Sequence, residues 1–372
     1  MQEDDDPWFR QPWMEEPDET GLEPPGPFPV ARPRQVEDGD AASLLGPLAD
    51  ASAALARLDA RLEASAPDVA EGLRARLALR EAAGWLAHQH GAWVHPTDLG
   101  LRAAFMTGSI TVAALSDRLH TALPSTLGEG PPPEIVAEDL AVGQALHLAQ
   151  LWMRLAEQRS WKPLSDPAAL CLLLASLGGG EPSEAAVADW LGRHAAGRPS
   201  SASAVPVLLR AVRAAQAWSE QDPRPGRADR LSTAALVLAA CVWKQAGSTP
   251  SLALPIWSAT PGRLEALGLT GGSAWPPGFL DAVTDAAQRA GQELFRLQAA
   301  AERAAALRRT ARSQLPAAAA LALRLPVLTA RGLAERLRIS PQAALALLKQ
   351  LMAAGMLREA TGRASWRAFV VA

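Results

Sequence analysis

Hydrophobic positions recur at helical spacing along most of this chain. Leu44, Leu45, Leu48, Leu55, Leu58 and Leu62 fall at intervals close to one helix face, which predicts an amphipathic helix over 41–64 with Pro47 in its first turn. Val69, Leu73, Leu77 and Leu79, followed by Trp85, predict a second helix over 67–88. Gly91 to Gly100 interrupts that pattern, and Thr97-Asp98 opens a short helical piece running to Phe105. Beyond the Gly/Pro loop 123–133, Leu148, Trp152 and Leu155 lie on one stripe of a long helix over 133–158, joined by Ile135, Leu140 and Leu146. Asp166-Pro167 supplies a cap and first-turn proline for a helix ending at Gly178-Gly179-Gly180. Further helices are predicted at 183–194, 204–218 and 226–245, with the longest at 281–313.

The last segment changes rhythm. Thr329 can cap a helix carrying Leu333 and Leu337, Arg338-Ile339 makes a turn, and Ser340-Pro341 opens a helix bearing Ala344, Leu347, Leu348 and Leu351 at core spacing. Gly355 ends that helix. Met356 to Glu359 is strand-like, 360–362 a turn, and 365–371 the returning strand of a two-stranded hairpin. The expected fold class is therefore mainly α. Its parts are a tail at 1–40, a multi-helix domain at 41–300, connecting helices at 301–324, and helix, turn, helix and hairpin at 325–372.

Composition agrees. The 372 residues contain 12 Trp, 6 Phe and no Tyr, and most of the aliphatic content is Ala and Leu, strong helix formers cut into segments by 30 Pro and 28 Gly. The longest apolar stretch, Ala234 to Trp243, is shorter than the roughly 18 residues a bilayer span requires. The acidic start, Glu3-Asp4-Asp5-Asp6, is unlike a basic targeting peptide, and two cysteines in apolar runs do not make a disulfide framework. The expectation is a soluble cytoplasmic protein. Charge is uneven along the chain. Residues 1–40 hold 12 acids against 3 Arg together with eight Pro, a composition that predicts a disordered tail. From Leu307 onward, 10 Arg and Lys349 stand against Glu335 and Glu359, the footprint of a nucleic-acid-binding segment or of a solvated Arg-rich surface.

The order of elements at 325–372, with its Leu351-to-Leu357 step through Gly355 and Met356, resembles the winged helix-turn-helix of bacterial regulators. The resemblance implies that the second helix enters the DNA major groove, with Gln342, Ala343, Ala346, Lys349 and Gln350 facing bases and Arg358, Arg363 and Arg367 meeting phosphates. That helix holds a single cation, so protein binding or plain packing is the alternative role of the module. Farther upstream, Arg80-Glu81-Ala82-Ala83-Gly84-Trp85-Leu86 and His95-Pro96-Thr97-Asp98-Leu99 resemble a family of uncharacterised bacterial proteins, mainly from rhizobia and related alphaproteobacteria. Those proteins join a helical domain of unknown function to a helix-turn-helix DNA-binding end. A more distant resemblance is to the Fic adenylyltransferases. Gly226, Arg227 and Arg230 match the end of their phosphate-cradling loop, but Ser219 stands in place of the motif histidine, Arg224 in place of the first glycine and Pro225 in place of the asparagine. The resemblance therefore implies a vestigial phosphate loop or scaffold without a catalytic base.

Other chemistry is sparse. His88, His90 and His95 cluster, with only Asp98 as an added ligand, so no metal or cofactor is expected. Gly178-Gly179-Gly180 lacks the Lys-Ser/Thr of a P-loop, and Gly271-Gly272-Ser273-Ala274-Trp275 lacks the strand context of a nucleophile elbow. Cys171, Cys241, Trp152 and Trp243 read as core. The leading function is a DNA-binding transcriptional regulator, not an enzyme. Its expected partners are DNA, a second copy paired through the helix at 281–313, and a small-molecule or protein effector, with no membrane. The alternative is a degenerate Fic-like scaffold or protein-interaction module.

Overall fold

The computed structural model describes residues 41–90, 94–107, 133–157, 161–175, 182–194, 205–221, 232–259, 275–307, 313–360 and 367–372. All of them belong to one compact unit, 35–372. Twelve helices lie among these residues: α1 (Ala41–Glu63), α2 (Pro67–His90), α3 (Pro96–Thr107), α4 (Pro133–Glu157), α5 (Pro167–Ala175), α6 (Glu184–His194), α7 (Val207–Gln221), α8 (Thr233–Ala246), α9 (Trp275–Ala306), α10 (Leu315–Arg324), α11 (Ala330–Leu337) and α12 (Pro341–Ala353). Three short strands, β1 (Leu328–Thr329), β2 (Leu357–Glu359) and β3 (Ala368–Val371), form an antiparallel sheet in the order β1-β3-β2. The mainly helical class read from the sequence is the fold observed.

Helix α8 is the centre of the body. Every residue from Ala235 to Lys244 is buried, because its neighbours cover it on all sides and it carries no polar face until Lys244. Helix α1 lies along α9, α2 along α4, and α7 along α8. On α9, Phe279, Leu280, Val283, Ala287, Leu294 and Leu297 form the buried stripe. Where that helix is wet, Phe295 stands 71% exposed.

Several local expectations shift. Pro47 sits inside α1 rather than in its first turn; lacking an N–H, it leaves one carbonyl of the opening turns without its helical donor. Leu45, placed on the α1 stripe by its spacing, is 65% exposed. The helix predicted over 281–313 instead runs Trp275–Ala306, and the alanine-rich stretch after it is a separate helix, α10, entered through Pro316. Helix α7 starts at Val207, not 204, and α8 starts at Thr233, where the Ser232 hydroxyl accepts from Ala235 N at 3.2 Å. The two-stranded hairpin is part of a three-stranded sheet in which β3 is the central strand. Leu328, which has no alternating pattern around it, pairs with Phe369. The triple glycine at 178–180 and the Gly271–Ala274 stretch lie outside the described residues.

A buried irregular segment, 249–259, threads between the helices, and its backbone polar groups need partners that no helix or sheet supplies. Charged and indole side chains provide them. Asp59 Oδ1 accepts from Ser251 N at 3.0 Å, Arg74 Nε donates to Ser251 O at 3.0 Å, and Trp152 Nε1 donates to Leu254 O at 3.0 Å. Glu81 accepts from the N–H groups of Ile256 (3.1 Å), Trp257 (2.9 Å) and Ser258 (3.2 Å) and from the Ser258 hydroxyl. Burial pushes the Glu81 carboxyl up to about 7 against the pull of these donors. One turn on, a Cβ at Gly84 would overlap the Trp257 carbonyl, so only glycine lets the segment approach. Trp85 Nε1 and Gln89 Nε2 both donate to Thr233 Oγ1, at 3.0 and 2.8 Å. The Arg80–Leu86 run is thus a structural clamp.

Candidate nucleic-acid interface

The C-terminal elements follow one another as helix α10, strand β1, helices α11 and α12, and strands β2 and β3. Their caps are the ones the sequence indicates. Thr329 Oγ1 accepts from Gly332 N at 3.0 Å and Ser340 Oγ from Ala343 N at 3.2 Å. Arg338 closes the turn between α11 and α12 in the left-handed conformation (φ 54°), and Ile339 N reaches back to Ala334 O at 3.1 Å. Gly355, at φ 67°, ends the turn after α12.

Helix α12 has two faces. Ala344, Leu348 and Leu351 are wholly buried against the other helices and the sheet. The opposite face carries Gln342, Ala343, Ala346, Lys349 and Gln350, all exposed. Arg358 on β2 is exposed as well. Arg367 sits in an ion pair, its Nε 3.7 Å from Glu359 Oε1, so part of its charge is already compensated. Arg363 lies outside the described residues, as do Gly226, Arg227 and Arg230 of the phosphate-loop resemblance. Ser219, at the position of the missing motif histidine, lies near the end of α7, and its buried hydroxyl has no hydrogen-bond partner among the described residues.

Sequence reasoning passed over two cations that the fold brings to the α11–α12 region. Arg338 is exposed at the turn itself, and Arg331 is exposed on α11, paired with Glu335 at 2.9 Å. Their residue type was visible; their position depended on Arg338 adopting a backbone conformation that usually calls for glycine. Arg336, by contrast, is half-buried and donates to Gly332 O at 3.0 Å, and burial lowers its pKa. Nor is the domain on a loose tether. Arg76 of α2 donates to the carbonyls of Leu323 (2.8 Å) and Leu325 (3.1 Å) at the end of α10, and Arg324 Nε reaches Glu71 Oε2 at 2.8 Å. Arg303, near the end of α9, donates to Gly355 O at 2.8 Å, just past α12. Arg76 is itself held by Glu293, 3.6 Å away, and desolvation brings its pKa down to about 10.

Among the described residues, no group of three or more His, Cys, Asp or Glu could hold a metal ion. His95 accepts from Thr97 N at 3.2 Å and its carbonyl caps α3, a helix-start role. Cys171 and Cys241 are buried, and burial pushes the Cys241 thiol up to about 12, far from a reactive thiolate. No helix of the described residues is long and apolar enough to cross a membrane.

No curated protein matches the chain. Residues 315–371 match the family of helix-turn-helix DNA-binding domains, a span that begins at α10 and so takes in a helix that the sequence pattern assigned to the connection.

Proposed function

We propose that this protein is a transcriptional regulator that binds duplex DNA through a winged helix-turn-helix formed by α10 to β3. The observation carrying this reading is that the polar face of α12 is free on the surface within the span that matches a DNA-binding family. Helix α12 enters the major groove, β2 and β3 act as the wing, and Lys349, Arg358, Arg338 and Arg331 meet the backbone. The helical body serves as the effector or assembly part, and the chain has no catalytic step of its own. Arg76 and Arg303 support that division of labour, because each ties a helix of the body to one end of the DNA-binding elements. Two-fold pairing of the protein would present two half-sites. The buried stripe of α9 is already covered by α1, so pairing must use another surface.

The test is DNA affinity as a function of salt, measured with the full-length protein on duplex DNA. A linear fall of log affinity with log salt supports the reading, and affinity independent of salt between about 50 and about 300 mM would refute it. A second reading, that the module binds a protein, is favoured by the single cation on α12. It predicts equal weak DNA binding by the wild type and by an Arg358→Glu variant.

A further inference from the structure

We infer that α12 reads a short run of A·T base pairs in the major groove, through Gln342 on adenine and the Ala343 and Ala346 methyl groups on thymine. This rests on the DNA-binding reading above and names the DNA chemistry it would select. Five of the exposed side chains of α12 lie on one face, and none is an arginine. Gln342 and Gln350 are eight residues apart, about 12 Å along a helix, which spans between three and four base steps at about 3.4 Å each. The face is therefore as long as one major-groove recognition segment, and its chemistry is that of two amides, two methyls and one ammonium.

Each base pair exposes a different pattern in that groove. Guanine offers two acceptors and is met by the arginine fork. Among the described residues, no arginine of this domain stands on that face of α12: Arg331 lies on α11 in an exposed pair with Glu335, Arg336 donates to a carbonyl of its own helix, and Arg367 faces Glu359. Arg338 stands in the turn before α12 and Arg358 on β2. The amide of glutamine matches the acceptor and donor of adenine at N7 and N6. An alanine methyl can make only an apolar contact, and the single apolar group on a major-groove edge is the thymine C5 methyl. The short side chains also let the helix approach closely. At that approach a cytosine amino group facing Ala343 or Ala346 would lose its water without gaining an acceptor, which disfavours G·C at those steps. Ser340 holds the first turn of α12 in place by accepting from Ala343 N, so Gln342 and Ala343 are fixed at the leading end of the helix, the end that faces the bases in this docking mode. Lys349, two turns later, is placed for a phosphate.

The experiment is selection from a random duplex pool with the full-length protein, followed by affinity measurements on the enriched site. We expect a half-site containing three or four consecutive A·T pairs. Replacing its thymines by deoxyuridine, which deletes only the methyls, should weaken binding about three- to fourfold per contacted thymine. Replacing the adenine read by Gln342 with 7-deazaadenine should weaken it at least fivefold. Gln342→Ala should lose that 7-deaza effect while melting at the wild-type temperature, since Gln342 is exposed. An enriched site whose core is G·C, or one whose affinity ignores both base analogues, would overturn the inference and leave the regulator reading standing. Failure to enrich any site, with binding unaffected by salt, would remove the regulator reading and this inference together.

Discussion

Replacing Arg76 by methionine tests whether the body and the DNA-binding elements are one energetic unit. Arg76 is buried, and its Nε lies 3.6 Å from Glu293 Oε1 while the two side chains are only 10% and 15% exposed. Its other nitrogens donate to Gly72 O at 2.9 Å, Leu323 O at 2.8 Å and Leu325 O at 3.1 Å. Methionine keeps the apolar stem and deletes the charge and all these donors. Removing one partner of a buried pair costs about 3–5 kcal/mol. The low end applies here, because Glu293 keeps Arg80 at 3.3 Å and Arg296 at 3.4 Å. A loss of about 3 kcal/mol is expected. With an unfolding entropy of about 2.1 cal/mol/K per residue over the unit 35–372, that corresponds to a fall in Tm of about 4 °C. The assay is denaturant and thermal unfolding of Arg76→Met, Glu293→Gln and the double variant. The cycle should show a coupling of about 1–2 kcal/mol. A single-variant loss below about 1 kcal/mol, or strictly additive losses, would refute the view that this contact is desolvated and shared.

Three further outcomes follow from the same structure. Gly84→Ala should destabilise by about 2–3 kcal/mol, because its methyl overlaps the Trp257 carbonyl and the buried segment must shift; a Tm within 1 °C of wild type would show that the segment yields freely. Glu81 has a native pKa of about 7, above its unfolded value of 4.5, so the unfolded chain binds fewer protons between these limits and stability falls as pH rises through that window. The fall is on the order of 3 kcal/mol, and Glu81→Gln should abolish it; wild-type and variant stabilities running parallel from pH 4.5 to pH 8 would disprove the assignment. On DNA, Arg358→Ala should weaken all duplexes alike and reduce the salt slope by about 0.9, whereas an unchanged slope would remove Arg358 from the phosphate contacts.

What was legible in the sequence is what local physics controls. The 3.6-residue stripes on α2 and α4, the caps at Thr329 and Ser340, and the glycine stop at Gly355 all rest on hydrogen bonds or apolar contacts within a few residues, so neighbours in sequence carry the information. The polar face of α12 was legible for the same reason: once Ala344, Leu348 and Leu351 are assigned to the core, Gln342, Ala346 and Lys349 must point away. Strand β1 was not, because two residues have no period, and Leu328 is a strand residue only because Phe369 arrives beside it. The partners of the 249–259 segment were equally hidden. The backbone groups that Asp59, Arg74 and Glu81 satisfy lie more than a hundred residues away, and only the fold brings them together. Tertiary structure likewise decided that Arg76 grips the end of α10 and that Arg367 is engaged by Glu359. Periodicity fixes which face of an element is buried, but which distant group meets that face depends on chain closure over long separations, and no short window of sequence encodes it.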